Sequence, residues 1–275
     1  MSSAQLAALS SGAVQALTSS AVSAFDADDV SALGSASIQA LGIHLNQLSA
    51  DAIKGMNLAN AAGLTLSQIQ SLSSSQFNAL SVDALEALGE AAVSGIQSSA
   101  IATLSASELM VLSTRIGELS SSAASALDSA QVKALSSLQV QSLSTAALQG
   151  LNSEAISGFE SEDISVLTSA GIEALGADIS GLSTQAIQGI NSSNSAGLTS
   201  SQIAALNSSQ IAALTNSALI GLSSQAISGL TSGNLIGLDA SDIQALGLDL
   251  VGLSGSAAAG LSATQVSAMT SAQAI

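Results

Sequence analysis

The stretch LTSSQIAALNSSQIAALTNSALIGL, residues 198–222, contains three consecutive copies of one eight-residue unit and the Leu that begins a fourth. Position one of this unit is Leu, position two is small and polar, position five is often Gln, position six is apolar, and position eight is Ala or Gly. The unit repeats outward in both directions, giving 34 complete copies and a partial copy that starts at Met269. We therefore interpret residues 1–275 as a single repeat array.

A larger period is superimposed on the eight-residue repeat. Four units have only seven residues, and they start at 41, 112, 175 and 246. Segments 25–55 and 159–189 match closely and lie 134 residues apart, which is 17 units. Duplication of an odd number of units would exchange the roles of alternating "up" and "down" units. The superperiod therefore favours equivalent units related by one repeated screw operation, with the short units correcting accumulated twist.

The local chemistry of the unit predicts one short helix per repeat. In a continuous helix the apolar positions would wander around the axis, and in a strand positions six and one would fall on opposite faces. Position two carries helix-capping residues, and Gln three residues later completes a capping box at Ser73–Gln76, Thr199–Gln202 and Asn207–Gln210. The predicted fold is an all-α solenoid or spiral of very short helices, with a β-solenoid as the alternative.

Such short helices are unstable alone in water, so each unit must pack against its neighbours. Positions one and six are predicted to form a continuous buried spine of Leu and Ile. The cores of large globular proteins usually draw on aromatic residues, and this chain has only three Phe and no Trp or Tyr, which also indicates a thin, repetitive core.

Composition argues against several classes of function. The net charge of −16 disfavours binding to nucleic acid and to anionic membrane surfaces. No run approaches the roughly 20 apolar residues of a membrane-spanning helix, and residues 1–10 lack the features of a signal peptide. The absence of Cys excludes disulfides and thiolate metal sites. Residues 179–238 carry no charge, which fits either the most regular part of the spine or a surface for lateral assembly.

Residues with catalytic potential are few. His44 is the only histidine, and Asp178 occupies its place in the duplicate, so we interpret it as a polar residue on a solvated edge. The basic residues Lys54, Arg115 and Lys133 are scattered and predict no anion site. We expect no enzymatic activity, no catalytic residue and no cofactor.

The acidic units 25–32 and 159–166 are the strongest candidates for a metal site. They contain, in order, Asp26, Asp28, Asp29, Glu160, Glu162 and Asp163. Clustered carboxylates suit calcium, but the spacing matches no EF-hand loop and no Gly-rich calcium repeat. We favour acidic residues that complement helix N-termini, and we predict no metal site.

The units at 198–222 resemble the tandem Leu-Thr/Ser-x-x-Gln-Ile/Val-x-Ala arrays of very large bacterial proteins, often labelled as adhesins or haem-utilisation proteins. The resemblance covers essentially the whole chain, and it implies an extracellular or cell-surface structural or adhesive role. The shared motif identifies this type of repeat specifically, but it gives little indication of an activity. The seven-residue and acidic units depart from the most regular arrays.

Together these features predict a structural repeat protein that self-associates into a fibre, sheath or surface layer, or forms an adhesin stalk. The expected partners are other copies of the chain, without nucleic acid or membrane insertion. The alternative is an adhesion module that binds a ligand or cation on the solenoid surface. An enzyme is the third and least favoured class.

Overall fold

The computed structural model describes residues 3–273, and in this range each of the complete repeats forms one short helix. Of these helices, 27 are α-helices of four to six residues and seven are 3₁₀ helices. The predicted all-α solenoid of very short helices is confirmed. The β-solenoid alternative is wrong, because residues 3–273 form no strand.

The α-helices follow one another in chain order. They are Ser3–Ala7, Ser11–Gln15, Ser19–Val22, Ala27–Ala32, Ser35–Ala40, Ala50–Ile53, Leu66–Ser71, Ser74–Phe77, Val82–Ala87, Glu90–Val93, Ser98–Ile101, Ala106–Val111, Ser121–Ala124, Ser129–Lys133, Ser137–Ser142, Thr145–Gly150, Ser153–Ile156, Ser161–Val166, Ser169–Ala174, Thr184–Ile187, Ser200–Ala205, Ser208–Ala212, Asn216–Ile220, Ser224–Ile227, Ala240–Ala245, Gly255–Ala258 and Ala263–Ala268.

The 3₁₀ helices fall into two length classes. Those of six residues are Gly42–Gln47, Ser113–Glu118, Gly176–Gly181 and Gly247–Gly252. Those of three residues are Ala61–Gly63, Ser195–Gly197 and Leu235–Gly237. The six-residue class coincides with the four seven-residue repeats.

Helix starts follow the predicted capping chemistry. The capping boxes expected at Ser73–Gln76, Thr199–Gln202 and Asn207–Gln210 are all present. At Thr199, the hydroxyl oxygen accepts from the Gln202 backbone N–H at 3.2 Å. The Gln202 amide oxygen accepts in return from the Thr199 backbone N–H at 3.0 Å. Each box satisfies backbone donors that the short helix leaves unpaired.

The described chain forms two compact units, Met1–Leu127 with Ser142–Gly150, and Asp128–Gln141 with Leu151–Ile275. In the first unit, helix Leu66–Ser71 packs against Glu90–Val93, three repeats further along. In the second unit, Ser200–Ala205 packs against Ser224–Ile227, again three repeats away. The chain therefore returns to itself after three to four repeats, and we call each such turn a coil.

Positions one and six form the interior of these coils. In the first unit Leu33 and Ile38 are buried, and in the second unit Leu198 and Ile203 are buried. The buried spine of Leu and Ile that the repeat predicts is confirmed. Each buried aliphatic side chain of this kind contributes about 1.5–3 kcal/mol relative to exposure.

Position eight lies against the backbone of the preceding coil. A Cβ added to Gly189 would fall on the carbonyl oxygen of Ser161, three repeats earlier, and 2.9 Å from the Ile164 Cβ. A Cβ added to Gly229 would likewise fall on the carbonyl of Ser200. Gly at these positions is therefore explained by the close approach of two backbones.

The seven-residue repeats replace an extended linker residue by a left-handed turn. In an ordinary repeat, position one has extended backbone, as at Leu33 with ψ 137°. In the short repeat at 41, Leu41 stays helical with ψ −26°, and Gly42 takes φ +51°. Gly176 and Gly247 repeat this conformation with φ +55° and +57°. The fourth short repeat places Ser113 there, with φ +51°.

Exchanging Ser and Gly at this turn should shift stability in opposite directions. We expect Ser113→Gly to raise the free energy of unfolding by about 1 kcal/mol, because a left-handed residue with a Cβ costs roughly 1–2 kcal/mol. Gly176→Ser should lower it by a similar amount, and there is space around Gly176, so backbone strain is the expected cause. Urea unfolding followed by circular dichroism at 222 nm measures both. Equal effects of the same sign would contradict this explanation.

Candidate functional site

A row of buried polar side chains at position five is the most distinctive chemical feature of the described residues. We call it the amide ladder. Its members each make a hydrogen bond to an earlier coil, and they include Asn60, Gln68, Gln76, Asn194, Gln202, Gln210, Asn234 and Gln265.

Each Gln of the ladder makes one contact within its own repeat and one with an earlier coil. The Gln68 amide oxygen accepts from the Thr65 backbone N–H at 3.0 Å, which caps its own helix. Its amide nitrogen donates to the Ile38 carbonyl at 2.7 Å, four repeats earlier. In the second unit, the Gln202 nitrogen donates to the Ile172 carbonyl at 2.6 Å. One side chain thus closes a local cap and fixes the register between coils.

Asn makes the same connection with a shorter side chain and a tighter turn. The Asn194 oxygen accepts from the Asn191 backbone N–H at 2.9 Å, and its nitrogen donates to the Ile164 carbonyl at 2.9 Å. Asn60 and Asn234 bond in the same way to Val30 and Ile203, each at 3.0 Å. These three repeats are the ones with three-residue 3₁₀ helices.

Asp at position five keeps the cap but has no amide donor. The Asp163 carboxylate accepts from the Glu160 backbone N–H at 3.0 Å, and Asp242 accepts from Asp239 at 2.8 Å. Both side chains are buried, and this burial raises the pKa of Asp163 and of Asp242 above the ordinary value. An ionised carboxylate only accepts hydrogen bonds, so neither Asp donates to an earlier carbonyl as the ladder amides do. Asp163 instead accepts a hydrogen bond from the Ser137 side chain, three repeats earlier.

The acidic units use their carboxylates as helix caps. Asp26 accepts from the Asp29 backbone N–H at 2.9 Å, and the Asp29 carboxylate accepts from the Asp26 N–H at 3.4 Å. Glu160 and Asp163 form the corresponding capping box in the duplicate. Among residues 3–273 no three His, Cys, Asp or Glu side chains are grouped so that they could hold a metal ion. This geometry supports our interpretation of these carboxylates as helix-capping residues.

His44 contacts an earlier coil rather than an acid. Its Nδ1 lies 3.0 Å from the Ser19 hydroxyl, 25 residues away. Similar side-chain bonds join Ser74 to Ser99 and Thr103 to Asn78, also 25 residues apart. The Ser19–His44 pair therefore belongs to a series of contacts between coils, and the absence of catalysis stays a prediction.

Arg115 has a structural role that the sequence did not indicate. Its guanidinium donates to the Glu86 carbonyl at 2.6 Å and to the Leu88 carbonyl, both in an earlier coil. Its Nε also donates to the Leu112 carbonyl at 3.1 Å. Arg115 thus substitutes for a ladder amide in the short repeat at 112.

The two lysines form exposed ion pairs and converge on no common site. Lys54 contacts Asp51 at 2.7 Å, and Lys133 contacts Glu160 at 3.4 Å. Solvent screens exposed pairs of this kind, so they contribute little to stability.

Only one of the two roles of the ladder residues could be predicted from the sequence. The sequence showed that position five is often Gln, and the capping role of that Gln was predicted. Its second role depends on which carbonyl lies four repeats earlier, and that depends on the pitch of the coil.

Gln202→Glu should separate the two roles of a ladder residue. Glu keeps the capping acceptor, as Glu108 does for Ser105 at 2.7 Å, but it cannot donate to Ile172 and it buries a charge. We expect unfolding free energy to fall by about 1–3 kcal/mol. The matched control is Gln225→Glu, at an exposed position, which should change stability by less than about 0.5 kcal/mol. Equal effects in urea unfolding would mean that the ladder bond contributes nothing.

Asp163→Asn should stabilise the protein in a pH-dependent manner. The pKa of Asp163 is higher in the folded than in the unfolded chain, so its contribution to stability is present at low pH and is lost as pH rises through the raised pKa. Asn removes the buried charge and supplies donors. We expect a higher melting temperature than wild type at pH 7 and a smaller difference below about pH 3, where the carboxyl group is mostly protonated in both states. Asp83→Asn, at an exposed site, is the control. A difference that is constant across pH would contradict the burial of a charge.

None of the helices within residues 3–273 has the length and apolar character needed to cross a membrane. A scan against models of known protein families finds no match, and neither does a search of curated proteins.

Proposed function

We propose that this chain is a structural scaffold that self-assembles into a fibre, sheath or surface layer outside the cell. The proposal rests on the observation that the polar side chains of the ladder and of the helix caps bond to the protein itself. Ladder amides and helix caps bond to the chain's own backbone, and the same contacts recur from repeat to repeat. An array of this kind grows by identical steps, which is the property that a scaffold needs.

The uncharged segment 179–238 supports the same interpretation. Its repeats contain ladder members Gln202, Gln210 and Asn234, and its position-six residues are buried as elsewhere. This favours its interpretation as the most regular part of the spine. The lateral-assembly interpretation of its surface stays a hypothesis.

The extracellular location rests on the resemblance to repeat arrays of bacterial surface proteins. An acidic, cysteine-free chain is compatible with that location. The alternative function, a binding module for a ligand or cation, stays a second hypothesis, and one saturable ligand in a glycan or peptide array would favour it.

Self-assembly is testable by sedimentation velocity over a wide range of protein concentration. Because each copy carries a net charge of −16, copies repel one another, and added salt should screen this repulsion and shift the distribution to larger species. Negative-stain images of the same samples should show ordered assemblies. Parallel samples with calcium test the cation-dependent form. Monomers at every concentration, salt level and calcium level would contradict self-assembly and leave only the stalk form.

A further inference from the structure

Three exposed apolar side chains of the first unit lie on successive coils. Leu58, Val82 and Met110 are 58%, 45% and 54% exposed. Their repeats start at 56, 80 and 104, so each lies three repeats after the previous one. Val82 at position three and Met110 at position seven fall on the same side of a helix, because four residues separate these positions. Leu58 also occupies position three, and we call the three side chains the apolar row.

The repeats that carry the apolar row pack directly against one another. The helix Val82–Ala87 contacts Ala61–Gly63, which belongs to the same repeat as Leu58. It also contacts Ala106–Val111, the helix that contains Met110. Because the axes of packed helices lie about 8–10 Å apart, the coils that carry the row follow one another at about that interval.

Acidic side chains accompany the apolar row on these helices. Asp83 and Glu86 are exposed on the helix of Val82, and Glu86 lies one turn after Val82 on the same side. Glu108 lies on the helix of Met110, where its Oε2 serves as a helix cap. The surface around the row therefore combines apolar contacts with carboxylates, which suits a partner that is both apolar and positively charged.

A second copy of the chain cannot supply that positive charge. The chain has only three basic residues and a net charge of −16. Lys54 pairs with Asp51 at 2.7 Å, and Lys133 pairs with Glu160 at 3.4 Å. The Arg115 guanidinium donates to backbone carbonyls of an earlier coil. The charge around the row therefore favours a basic protein of a different sequence over self-association.

We propose that the apolar row is a docking surface for a cationic amphipathic helix of another protein. Apolar side chains of this helix contact Leu58, Val82 and Met110, and its Lys or Arg side chains pair with Asp83 and Glu86. Residues seven apart on an α-helix are separated by about 10.5 Å, close to the interval between coils. A helix that lies along the row therefore places one apolar side chain on each coil. This proposal does not depend on self-assembly.

Binding of a designed peptide tests this docking surface. The probe is a fluorescein-labelled helical peptide of about 21 residues, with Leu at every seventh position and Lys on both sides of the Leu stripe. A matched peptide carries Glu in place of each Lys. We expect saturable binding of the cationic peptide in fluorescence anisotropy, with an affinity that falls as salt is added. The acidic peptide should not bind.

Two double variants locate the peptide on the apolar row. Val82→Gln with Met110→Gln removes two apolar contacts at exposed positions, and we expect binding to weaken about tenfold. Asp83→Asn with Glu86→Gln removes two exposed charges, and we expect binding to weaken about threefold to tenfold. The loss caused by the second variant should shrink at high salt, whereas the loss caused by the first should persist.

Matched controls change the same kinds of residue elsewhere in the first unit. Ile43→Gln with Leu66→Gln replaces two other exposed apolar side chains, and Glu90→Gln with Glu118→Gln removes two other exposed charges. Both should bind the peptide as wild type does, and circular dichroism checks that all variants keep their helical content. If a control weakens binding as much as its matched variant, the peptide does not recognise the row and the proposal is wrong.

The peptides themselves provide the remaining decisive outcomes. Failure of the cationic peptide to bind wild type saturably, or equal binding of the acidic peptide, would overturn the docking surface. Neither result bears on self-assembly, which sedimentation of the chain alone measures.

Discussion

The structure depends on a hydrogen bond between coils that a single side chain makes while it also caps its own helix. A helix of four to six residues cannot persist alone, because nucleation costs more than its few hydrogen bonds return. Gln68 and Gln202 overcome this by fixing a helix start with one end of the amide and an earlier carbonyl with the other. Burial of positions one and six supplies the larger energy, but it is non-directional. The hydrogen bond from the side-chain amide to an earlier carbonyl determines which repeats lie against each other.

This requirement explains why few residue types occur at position five. It also explains how the residues that replace Gln there differ from it. Asn194 is one methylene shorter than Gln, and it occurs where the helix tightens to a 3₁₀ turn. Asp163 keeps the cap and accepts from the Ser137 side chain in place of donating to a carbonyl, and Ala155 retains only burial. Arg115 reaches earlier carbonyls from position four of a short repeat, where the backbone follows a different course. The local cap and the bond between coils are therefore separable contributions to stability.

The sequence predicted the elements of the fold well because they depend on local chemistry. Capping pairs such as Thr199–Gln202, the boundaries of the repeats, and the burial of positions such as Leu198 and Ile203 follow from spacing within one unit. The number of repeats in a coil does not follow from spacing within one unit. The partner of Gln202 is 30 residues away, and no local pattern encodes that distance. The left-handed turn of the short repeats was not predicted. It occurs at Gly176, where a Gly suits it, and also at Ser113, where the residue type gives no indication of it.

The equivalence of repeats also accounts for a duplication of 17 units. If helices alternated in direction, an odd shift would place every residue in the wrong environment. Here packed helices lie three repeats apart, and ladder amides bond to carbonyls four repeats earlier, in both units. Gly42 and Gly176, one superperiod apart, accordingly share the same left-handed turn, with φ +51° and +55°. Val30 and Ile164, also one superperiod apart, accept the same bond from Asn60 and Asn194. The 17-unit block, which carries its own short repeats, is thus repeated with these backbone conformations and contacts between coils preserved.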